Sequence, residues 1–190
     1  MIILGLGSNL SSSFGDRFLN INMAMSYLGE YGIKIIDKSS FYETPSYPNK
    51  KNPKFINVII SVKTQLPPDD LMSVLIFIEE KVERKRNEKN DPRTCDIDII
   101  DYNNQILNLQ YKDLNLEIPH KKLTSRNFVL FPLQEIFPNW KHPKTEEIIS
   151  SLVTWFFVSW GSFSIDKLEA ILILGIALYF GAILERHTFW

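Results

Sequence analysis

The most informative stretch of this sequence lies at residues 95–102 and reads Cys95-Asp96-Ile97-Asp98-Ile99-Ile100-Asp101-Tyr102. Isoleucines and acids alternate here, which predicts a strand because successive side chains of a strand point to opposite faces. Ile97 and Ile99 are therefore expected to point into a core. Asp96 and Asp98 are expected to lie together on the other face.

Two carboxylates on one face of a strand repel each other, and something must offset that repulsion. A hard divalent cation such as Mg²⁺ does so directly, since it binds carboxylate oxygens together with substrate phosphates. Acids are also poor strand formers, so their presence in an isoleucine-rich strand favours a function. We predict a metal site at Asp96 and Asp98, with two acids on a solvated strand face as the alternative.

Working outward, six basic residues fall within thirteen positions ahead of this strand: Lys81, Arg84, Lys85, Arg86, Lys89 and Arg93. A solvated helix end explains such a cluster when it stands alone, because basic side chains are favourable near a helix C-terminus. Beside a carboxylate pair, the same cluster predicts a site for a metal-bound polyphosphate, since arginine pairs with phosphate oxygens through parallel hydrogen bonds.

A second polar cluster follows the strand, at residues 119–130. His120, Lys122 and Arg126 are candidate donors to an anionic ligand, and Arg126 stands at the start of a predicted helix whose first N–H groups favour phosphate. A structural role is the alternative for His120, which is a lone histidine after a proline. By periodicity alone, Phe128 is a core residue.

The rest of the sequence predicts the element order β-α-β-β-α-β, which is typical of a ferredoxin-like fold. The predicted strands are residues 1–9, 33–42, 55–62 and 95–102. One helix follows a cap at Ser11-Ser12-Ser13 and carries Phe18, Ile21, Met25 and Leu28. A second begins at Pro67 and buries Leu71, Val74, Leu75, Ile78 and Val82. With a hairpin at 105–117 and helices at 126–136 and 145–152, we expect an α+β fold, a ferredoxin-like α/β sandwich with a mainly antiparallel sheet.

Composition limits the class of protein. The 190 residues suit one compact domain, and a hydrophobic content of 45% lies in the globular range. A formal net charge of -1 excludes a chain that binds polyanions over its whole surface. Cys95 is the only cysteine, so no intramolecular disulfide is possible, and the apolar start lacks the charged region of a secretory signal. We expect a cytoplasmic protein.

Beyond about residue 152 the sequence becomes strongly apolar, and we predict a domain at 1–152 followed by an extension at 153–190. The 15 residues from Ala170 to Leu184 carry no charge. As a helix they would measure about 22 Å, less than the ~30 Å core of a bilayer. Three interpretations stay open: an extra helix packed on the domain, a short membrane-seeking or partner-binding helix, or a terminus without selected function. We expect a helix that catalysis does not need, and membrane contact is the less expected outcome.

Several motifs occur in one order from residue 1 to about 150. They are Gly7-Ser8-Asn9-Leu10, Phe41-Tyr42-Glu43-Thr44-Pro45, Phe55-Ile56-Asn57, Ile78-Glu79 with Arg84 and Arg86, Pro92-Arg93-Thr94-Cys95-Asp96-Ile97-Asp98-Ile99, and Pro119-His120 with Arg126-Asn127-Phe128-Val129-Leu130-Phe131-Pro132-Leu133. This ordered set resembles 6-hydroxymethyl-7,8-dihydropterin pyrophosphokinase. The resemblance implies a ferredoxin-like fold and an enzyme of folate biosynthesis that transfers the diphosphate of ATP to the hydroxymethyl group of the reduced pterin, releasing AMP.

The resemblance also implies roles for individual residues. Asp96 and Asp98 match the ligands of two Mg²⁺ ions, and either carboxylate helps to draw the proton from the pterin hydroxyl. Arg84 and Arg93 match phosphate-binding arginines of a mobile loop and complete the implied catalytic set. The implied ATP-binding residues are Glu79, Arg84, Arg93, Ile99, His120 and Arg126. The implied pterin-binding residues are Thr44, Pro45, Phe55, Asn57 and Phe128.

This chain departs from the family pattern in the basic loop. Asn90 and Asp91 stand where the family often has an aromatic residue and a glycine, and Glu83 occupies a place often held by glycine. Residues 120–122 read His-Lys-Lys in place of a commoner histidine–proline–arginine. These differences affect how the loop closes and how tightly nucleotide binds, but not the metal pair.

A ferredoxin-like nucleic-acid-binding module is the alternative function, since that topology also underlies RNA-recognition folds. Two acids on the last strand of the sheet argue against it, because they would repel a phosphate backbone in the absence of metal. We expect ATP and the reduced pterin as partners, no nucleic acid, and a monomer.

Overall fold

The structure, a computed structural model, describes residues 1–47, 49–85, 91–111 and 114–164. The predictions for Arg86, Lys89, Asn90 and the tail beyond Ser164 lie outside these ranges. The elements are β1 (Ile2–Ser8), α1 (Arg17–Glu30), β2 (Lys34–Lys38), β3 (Tyr42–Thr44), β4 (Phe55–Lys63), α2 (Pro68–Lys81), β5 (Asp96–Tyr102), β6 (Leu107–Tyr111), β7 (Leu114–Ile118), a 3₁₀ turn (Leu123–Ser125), α3 (Asn127–Ile136) and α4 (Ile149–Ser164).

The main sheet has the strand order β2-β4-β1-β5, with every neighbouring pair antiparallel. Strand β3 pairs with the first residues of β4, and the hairpin β6-β7 forms a second, two-stranded sheet. This order confirms the predicted ferredoxin-like fold. It places Gly7 of β1 between Asn57 of β4 and Asp96 of β5, where the predicted site residues converge.

An apolar core covers each face of the sheet, because side chains alternate along the central strands. Leu4 and Ile97 lie in one core with buried residues of α1 and α2. Ile3 and Ile100 lie in the other core with buried residues of α3 and α4. The chain therefore forms an α/β sandwich with the sheet as its middle layer, as predicted.

Two local predictions are wrong. Helix α1 is capped by Asp16, whose carboxylate accepts a hydrogen bond from Leu19 N at 3.0 Å, and not by the preceding serines. Phe18 lies in this helix as predicted, is 39% exposed and packs edge-on against Phe41. The strand predicted at 33–42 is divided into β2 and β3, and the connection between them contains Ser39, whose hydroxyl accepts a hydrogen bond from Ile59 N.

The C-terminal helix also differs from its prediction. It begins at Ile149, later than expected, and continues through residue 152 without a break to Ser164. Val153 is buried and Phe156 packs against the core under α3. Within the described ranges, no helix combines the length and the apolar character needed to cross a membrane.

Candidate active site

The predicted carboxylate pair lies at the start of β5, where the strand leaves the core. Ile97 and Ile99 are almost fully buried, at 2% and 1% exposure. The Asp96 and Asp98 side chains keep 22% and 35% of their surface exposed on the opposite face. The period-2 pattern is thus confirmed, and the carboxylate oxygens can be reached from solvent.

Basic groups from two separate segments contact this pair. Arg84 Nη1 lies 2.6 Å from Asp96 Oδ1, and Arg93 Nη2 lies 2.8 Å from Asp96 Oδ2. Arg126 Nη1 lies 3.1 Å from Asp98 Oδ2, with His120 Nε2 4.0 Å from the same oxygen. The two basic clusters predicted from the sequence therefore meet at one site.

The two carboxylates differ in their electrostatics. Burial works against ionisation of Asp96, but the guanidinium groups of Arg93 and Arg84 hold its pKa below the ordinary value. Burial raises the pKa of Asp98, and the charge of Asp96 raises it further. Burial likewise lowers the pKa of His120, so a neutral imidazole is favoured beside the guanidinium of Arg126. The site thus holds one firmly ionised carboxylate beside a second whose charge is disfavoured.

Glu79 is the internal counter-ion of the site. It is a charged residue at the edge of the apolar stripe of α2, four residues after Leu75, and it is 2% exposed. Its carboxylate accepts hydrogen bonds from Arg84 Nη1 and from Ile97 N, the latter at 2.7 Å. These contacts join α2, the basic segment and β5. The sequence pattern did not predict that Glu79 is buried, because the buried face of an amphipathic helix is predicted from its apolar residues alone.

Asn9 is the residue that patterning missed at this site, although it lies in the Gly7-Ser8-Asn9-Leu10 motif. It is 2% exposed. Its Oδ1 accepts a hydrogen bond from Arg93 N at 2.7 Å, and its own N–H donates to Arg93 O at 3.0 Å. Its Nδ2 donates to Pro53 O at 3.1 Å and to Ser46 Oγ at 3.3 Å. One buried amide therefore joins the basic segment to the β3–β4 connection.

Three of the predicted pterin residues, Thr44, Phe55 and Asn57, lie on the neighbouring strands β3 and β4. Asn57 Nδ2 donates to Thr44 Oγ1 at 2.9 Å, which fixes the orientation of the amide. A Cβ at Gly7 would lie 3.2 Å from Asn57 Oδ1 and 3.6 Å from the ring of Phe55, so a side chain here would crowd Asn57. Phe55 itself lies under Arg93, with 5.3 Å from the guanidinium carbon to the ring centroid.

Three other predicted residues are placed differently. Phe128 is half-buried at the start of α3, where it packs on the core, and the guanidinium carbon of Arg126 lies 5.4 Å from its ring centroid. Pro45 is exposed just after β3. The Ile99 side chain lies in the core, so only its backbone can serve a nucleotide. A cavity of ≈ 600 Å³ lies beside Met1 and Trp140, and none of the predicted site residues lines it.

The donor set at Asp96 and Asp98 fits Mg²⁺. The described residues contain no group of three or more His, Cys, Asp or Glu side chains that could surround a metal ion. Mg²⁺ does not need one, because it binds one or two carboxylates and completes its octahedron with waters and substrate phosphates. Arg93 Nε is buried and has no hydrogen-bond partner among the described residues, so a further donor is present for an anionic oxygen.

A ferredoxin-like sheet that carries two carboxylates among three guanidinium groups is typical of an enzyme that acts on a polyphosphate. Comparison with known proteins is more specific, since the model of the 7,8-dihydro-6-hydroxymethylpterin-pyrophosphokinase family matches residues 3–138. The chain belongs to this family. The comparisons give no support to the nucleic-acid-binding alternative.

Two bacterial relatives are named 2-amino-4-hydroxy-6-hydroxymethyldihydropteridine pyrophosphokinase. The protein from Synechocystis is 34% identical over 152 residues, which cover 80% of this chain and 73% of the relative. The protein from Aquifex aeolicus is 35% identical over 142 residues, covering 75% of this chain and 83% of the relative. A folic acid synthesis protein of Dictyostelium discoideum is 38% identical, but the match covers only 20% of that longer chain.

Solved structures agree on the fold. The chain resembles a wild-type HPPK-DHPS of Plasmodium falciparum with a TM-score of 0.65 and 18% identity, and the match covers 86% of this chain and 46% of that one. The A437G variant of the same protein with pteroate gives a TM-score of 0.69 at 17% identity. The chain thus spans less than half of these solved chains.

Proposed function

We propose that this protein transfers the diphosphate of ATP to 6-hydroxymethyl-7,8-dihydropterin in folate biosynthesis. The pterin hydroxyl oxygen attacks the β-phosphorus of ATP, and the bond from that phosphorus to the α,β-bridging oxygen breaks. The hydroxyl proton leaves, and the products are AMP and the pterin diphosphate. The observation that carries the proposal is the pair Asp96 and Asp98, contacted by Arg84, Arg93 and Arg126 at the end of the sheet where Gly7 lies between Asn57 and Asp96.

On the phosphate side, Arg84, Arg93 and Arg126 are placed to exchange their carboxylate contacts for phosphate oxygens, to which guanidinium groups bind through paired hydrogen bonds. His120 adds a ring nitrogen close to Arg126. Asp96 and Asp98 would hold two Mg²⁺ ions, which when bound neutralise charge on the triphosphate. Asp96 and Asp98 are the two candidate acceptors of the hydroxyl proton.

On the pterin side, the fixed amide of Asn57 is available for hydrogen bonds to the heterocycle, next to Thr44 and Pro45. Phe55 and Phe128 are half-buried rings that offer flat faces to a flat ligand. We also propose that the protein acts as a monomer in the cytoplasm. Its single cysteine is buried and suits a reducing compartment.

The test is to incubate the purified protein with ATP, Mg²⁺ and the reduced pterin and to separate the nucleotide products. We expect AMP in amounts equal to the pterin diphosphate and dependent on the pterin. Formation of ADP would indicate transfer of a single phosphoryl group and would contradict the proposal. Unchanged turnover after Mg²⁺ is removed with a chelator would contradict the metal assignment.

A further inference from the structure

The basic segment between Glu83 and Arg93 is held at both of its described ends by one small loop. The β1–α1 loop binds Arg93 through the side chain and the N–H of Asn9 and through the N–H of Leu10, which donates to Arg93 O at 3.2 Å. It binds Glu83 through Ser13. The Ser13 N–H donates to Glu83 Oε2 at 3.0 Å, and its hydroxyl donates to Glu83 Oε1.

Glu83 adopts a backbone conformation that glycine adopts more easily. Its φ is 63°, in the left-handed region that side chains disfavour. The position follows the end of α2, where the N–H of Glu83 donates to Glu80 O and the N–H of Arg84 donates to Glu79 O. Helices commonly end on glycine at such a position. A glutamate here carries a conformational cost, which its two hydrogen bonds from Ser13 offset.

The contact with Ser13 bears directly on Arg84, the next residue. Arg84 is 11% exposed and binds both Glu79 and Asp96 through Nη1. Its reach to Asp96 depends on where its backbone lies, and the Glu83 side chain ties that backbone to the β1–α1 loop. The loop is itself compact, because Ser12 and Gly15 exchange backbone hydrogen bonds of 2.9 and 3.1 Å.

We propose that Glu83 is a positioning residue, which holds Arg84 in its place at the carboxylate pair by accepting the hydrogen bonds of Ser13. This inference rests on the proposed function, in which Arg84 binds the phosphates of ATP. Glu83 touches no substrate and acts through Arg84. Loss of the contact between Glu83 and Ser13 therefore weakens the use of ATP and leaves the pterin pocket as it was.

Two variants weaken this contact from opposite sides. Glu83→Gly removes the carboxylate, and with it both hydrogen bonds, and also relieves the left-handed strain. Ser13→Ala removes the hydroxyl donor and keeps the N–H donor. We expect Ser13→Ala to raise the KM for ATP about fivefold, as for the loss of one charge-assisted hydrogen bond, and Glu83→Gly to raise it about five- to tenfold, with the pterin KM unchanged in both. We expect the thermal midpoint of Glu83→Gly to equal or exceed that of the wild-type protein. Glu80→Gln, an exposed glutamate one turn earlier, is the matched control and should change neither KM.

The double variant separates coupling from two independent effects. Because Glu83→Gly already removes both acceptor oxygens for Ser13, the KM for ATP of Ser13→Ala/Glu83→Gly should be no higher than that of the worse single variant. The inference would be overturned if the increases in the KM for ATP of the two single variants multiplied in the double variant. A KM for ATP in Glu83→Gly equal to that of the wild-type protein would overturn it as well. A lower thermal midpoint that accounts for the lost activity of Glu83→Gly would do so too, since it would indicate a general structural role.

A failure of the proposed function would look different. The wild-type protein would then form no AMP from ATP and the pterin, and the contact between Glu83 and Ser13 would be tested by trypsin. Cleavage after Lys85 should be faster in both single variants than in the wild-type protein and Glu80→Gln. Equal cleavage rates in all four proteins would overturn the inference without reference to activity.

Discussion

Asp98 lies where the fold disfavours a charge, since burial and the neighbouring Asp96 both raise its pKa. A residue kept against stability is expected to act in the reaction. We predict that Asp98→Asn lowers turnover at least about 100-fold, a loss of the size seen when transition-state charge is no longer stabilised. The free energy of unfolding at pH 7 should stay the same or rise. Urea unfolding and steady-state kinetics on the same preparation measure both effects.

The control for this prediction is Asp70→Asn, which changes an exposed acid at the start of α2 and should preserve turnover. Near-normal activity of Asp98→Asn at saturating Mg²⁺ would contradict the assignment of Asp98 as a metal ligand.

Asp101 presents the opposite case, a buried acid at the far end of β5 from Asp96. It is fully buried, and Trp140 Nε1 donates to its Oδ2 at 2.8 Å while Asn104 N donates to its Oδ1 at 3.0 Å. We predict that Trp140→Phe destabilises the protein by about 1–3 kcal/mol, because a buried acceptor loses its donor. Turnover should not change, since Asp101 pairs with Ile3 while Asp96 pairs with Gly7.

The pH dependence of this variant follows from the sign of the pKa shift. Burial raises the pKa of Asp101 in the folded protein, so its ionised form opposes folding as the pH rises above ~3.9, the value of an unfolded aspartate. Loss of the Trp140 donor strengthens that opposition. The loss of unfolding free energy caused by Trp140→Phe, measured with urea, should therefore be larger at pH 7 than at pH 4. Trp155→Phe changes a residue that is 65% exposed and should cause no such loss. Equal deficits at the two pH values would contradict this account.

At the scale of elements, α3 is joined to the β2–β3 connection by one side chain. The Glu135 carboxylate accepts hydrogen bonds from Ser40 N at 2.9 Å, Ser40 Oγ at 2.8 Å and Tyr42 OH at 2.9 Å. Burial, together with Glu135, raises the pKa of Tyr42 to about 12, so its hydroxyl remains a donor at any physiological pH. The carbonyl of Tyr42 accepts from Asn57 Nδ2 at 3.4 Å, which extends this connection to the pterin pocket.

We predict that Glu135→Gln raises the pterin KM about fivefold, the equivalent of about 1 kcal/mol, because the amide cannot accept all three donors. The KM for ATP should not change.

The same side chain predicts a pH dependence of stability. The hydrogen bonds to Glu135 outweigh burial and lower its pKa in the folded protein. Its stabilising effect is therefore complete above pH ~4.3, the pKa of an unfolded glutamate, and is lost as the pH falls through the lower pKa of the folded protein. Acid unfolding of the wild-type protein should thus show a loss of stability below pH ~4.3 that Glu135→Gln lacks. If Glu135→Gln changed the KM for ATP and left the pterin KM unchanged, the connection from Glu135 through Tyr42 to the pterin pocket would be contradicted.

Local sequence patterns predicted most elements because their signals lie within a few residues. The alternation of Ile97 and Ile99 with acids predicted strand β5 and its buried face, and the order of the elements predicted the topology of the main sheet. The break between β2 and β3 was missed, because the hydroxyl of Ser39 binds Ile59, which lies 20 residues away. The role of Asn9 at the site was missed for the same reason, since its partner Arg93 lies 84 positions away.

At the scale of the whole molecule, the site is assembled where the two cores meet at one end of the sheet. Asp96 and Asp98 lie on the strand that joins both cores, since its Ile97 belongs to one and its Ile100 to the other. Arg126 is brought in by α3 on the second core, and Glu79 and Arg84 by α2 on the first. The carboxylate pair therefore depends on both layers of helices, and a change that loosens either core is expected to reach it.

The C-terminal helix tests how much of the chain this assembly needs. Leu152 and Val153 are each 5% exposed and pack with α3, so α4 belongs to the second core at the point where the extension was predicted to begin. We predict that truncation after Ser164 preserves the thermal midpoint and the transfer reaction. It should also improve solubility, because it removes the largely apolar residues 165–190 and no described core contact.

Truncation after Leu152 should lower the unfolding free energy by about 1.5–3 kcal/mol or more, since it removes the buried Val153 and the packing of Phe156 on Phe131. Circular dichroism melts of the two truncated chains, with AMP formation measured on each, decide between these outcomes. Loss of transfer by a folded chain that ends at Ser164 would make residues 165–190 part of the enzyme.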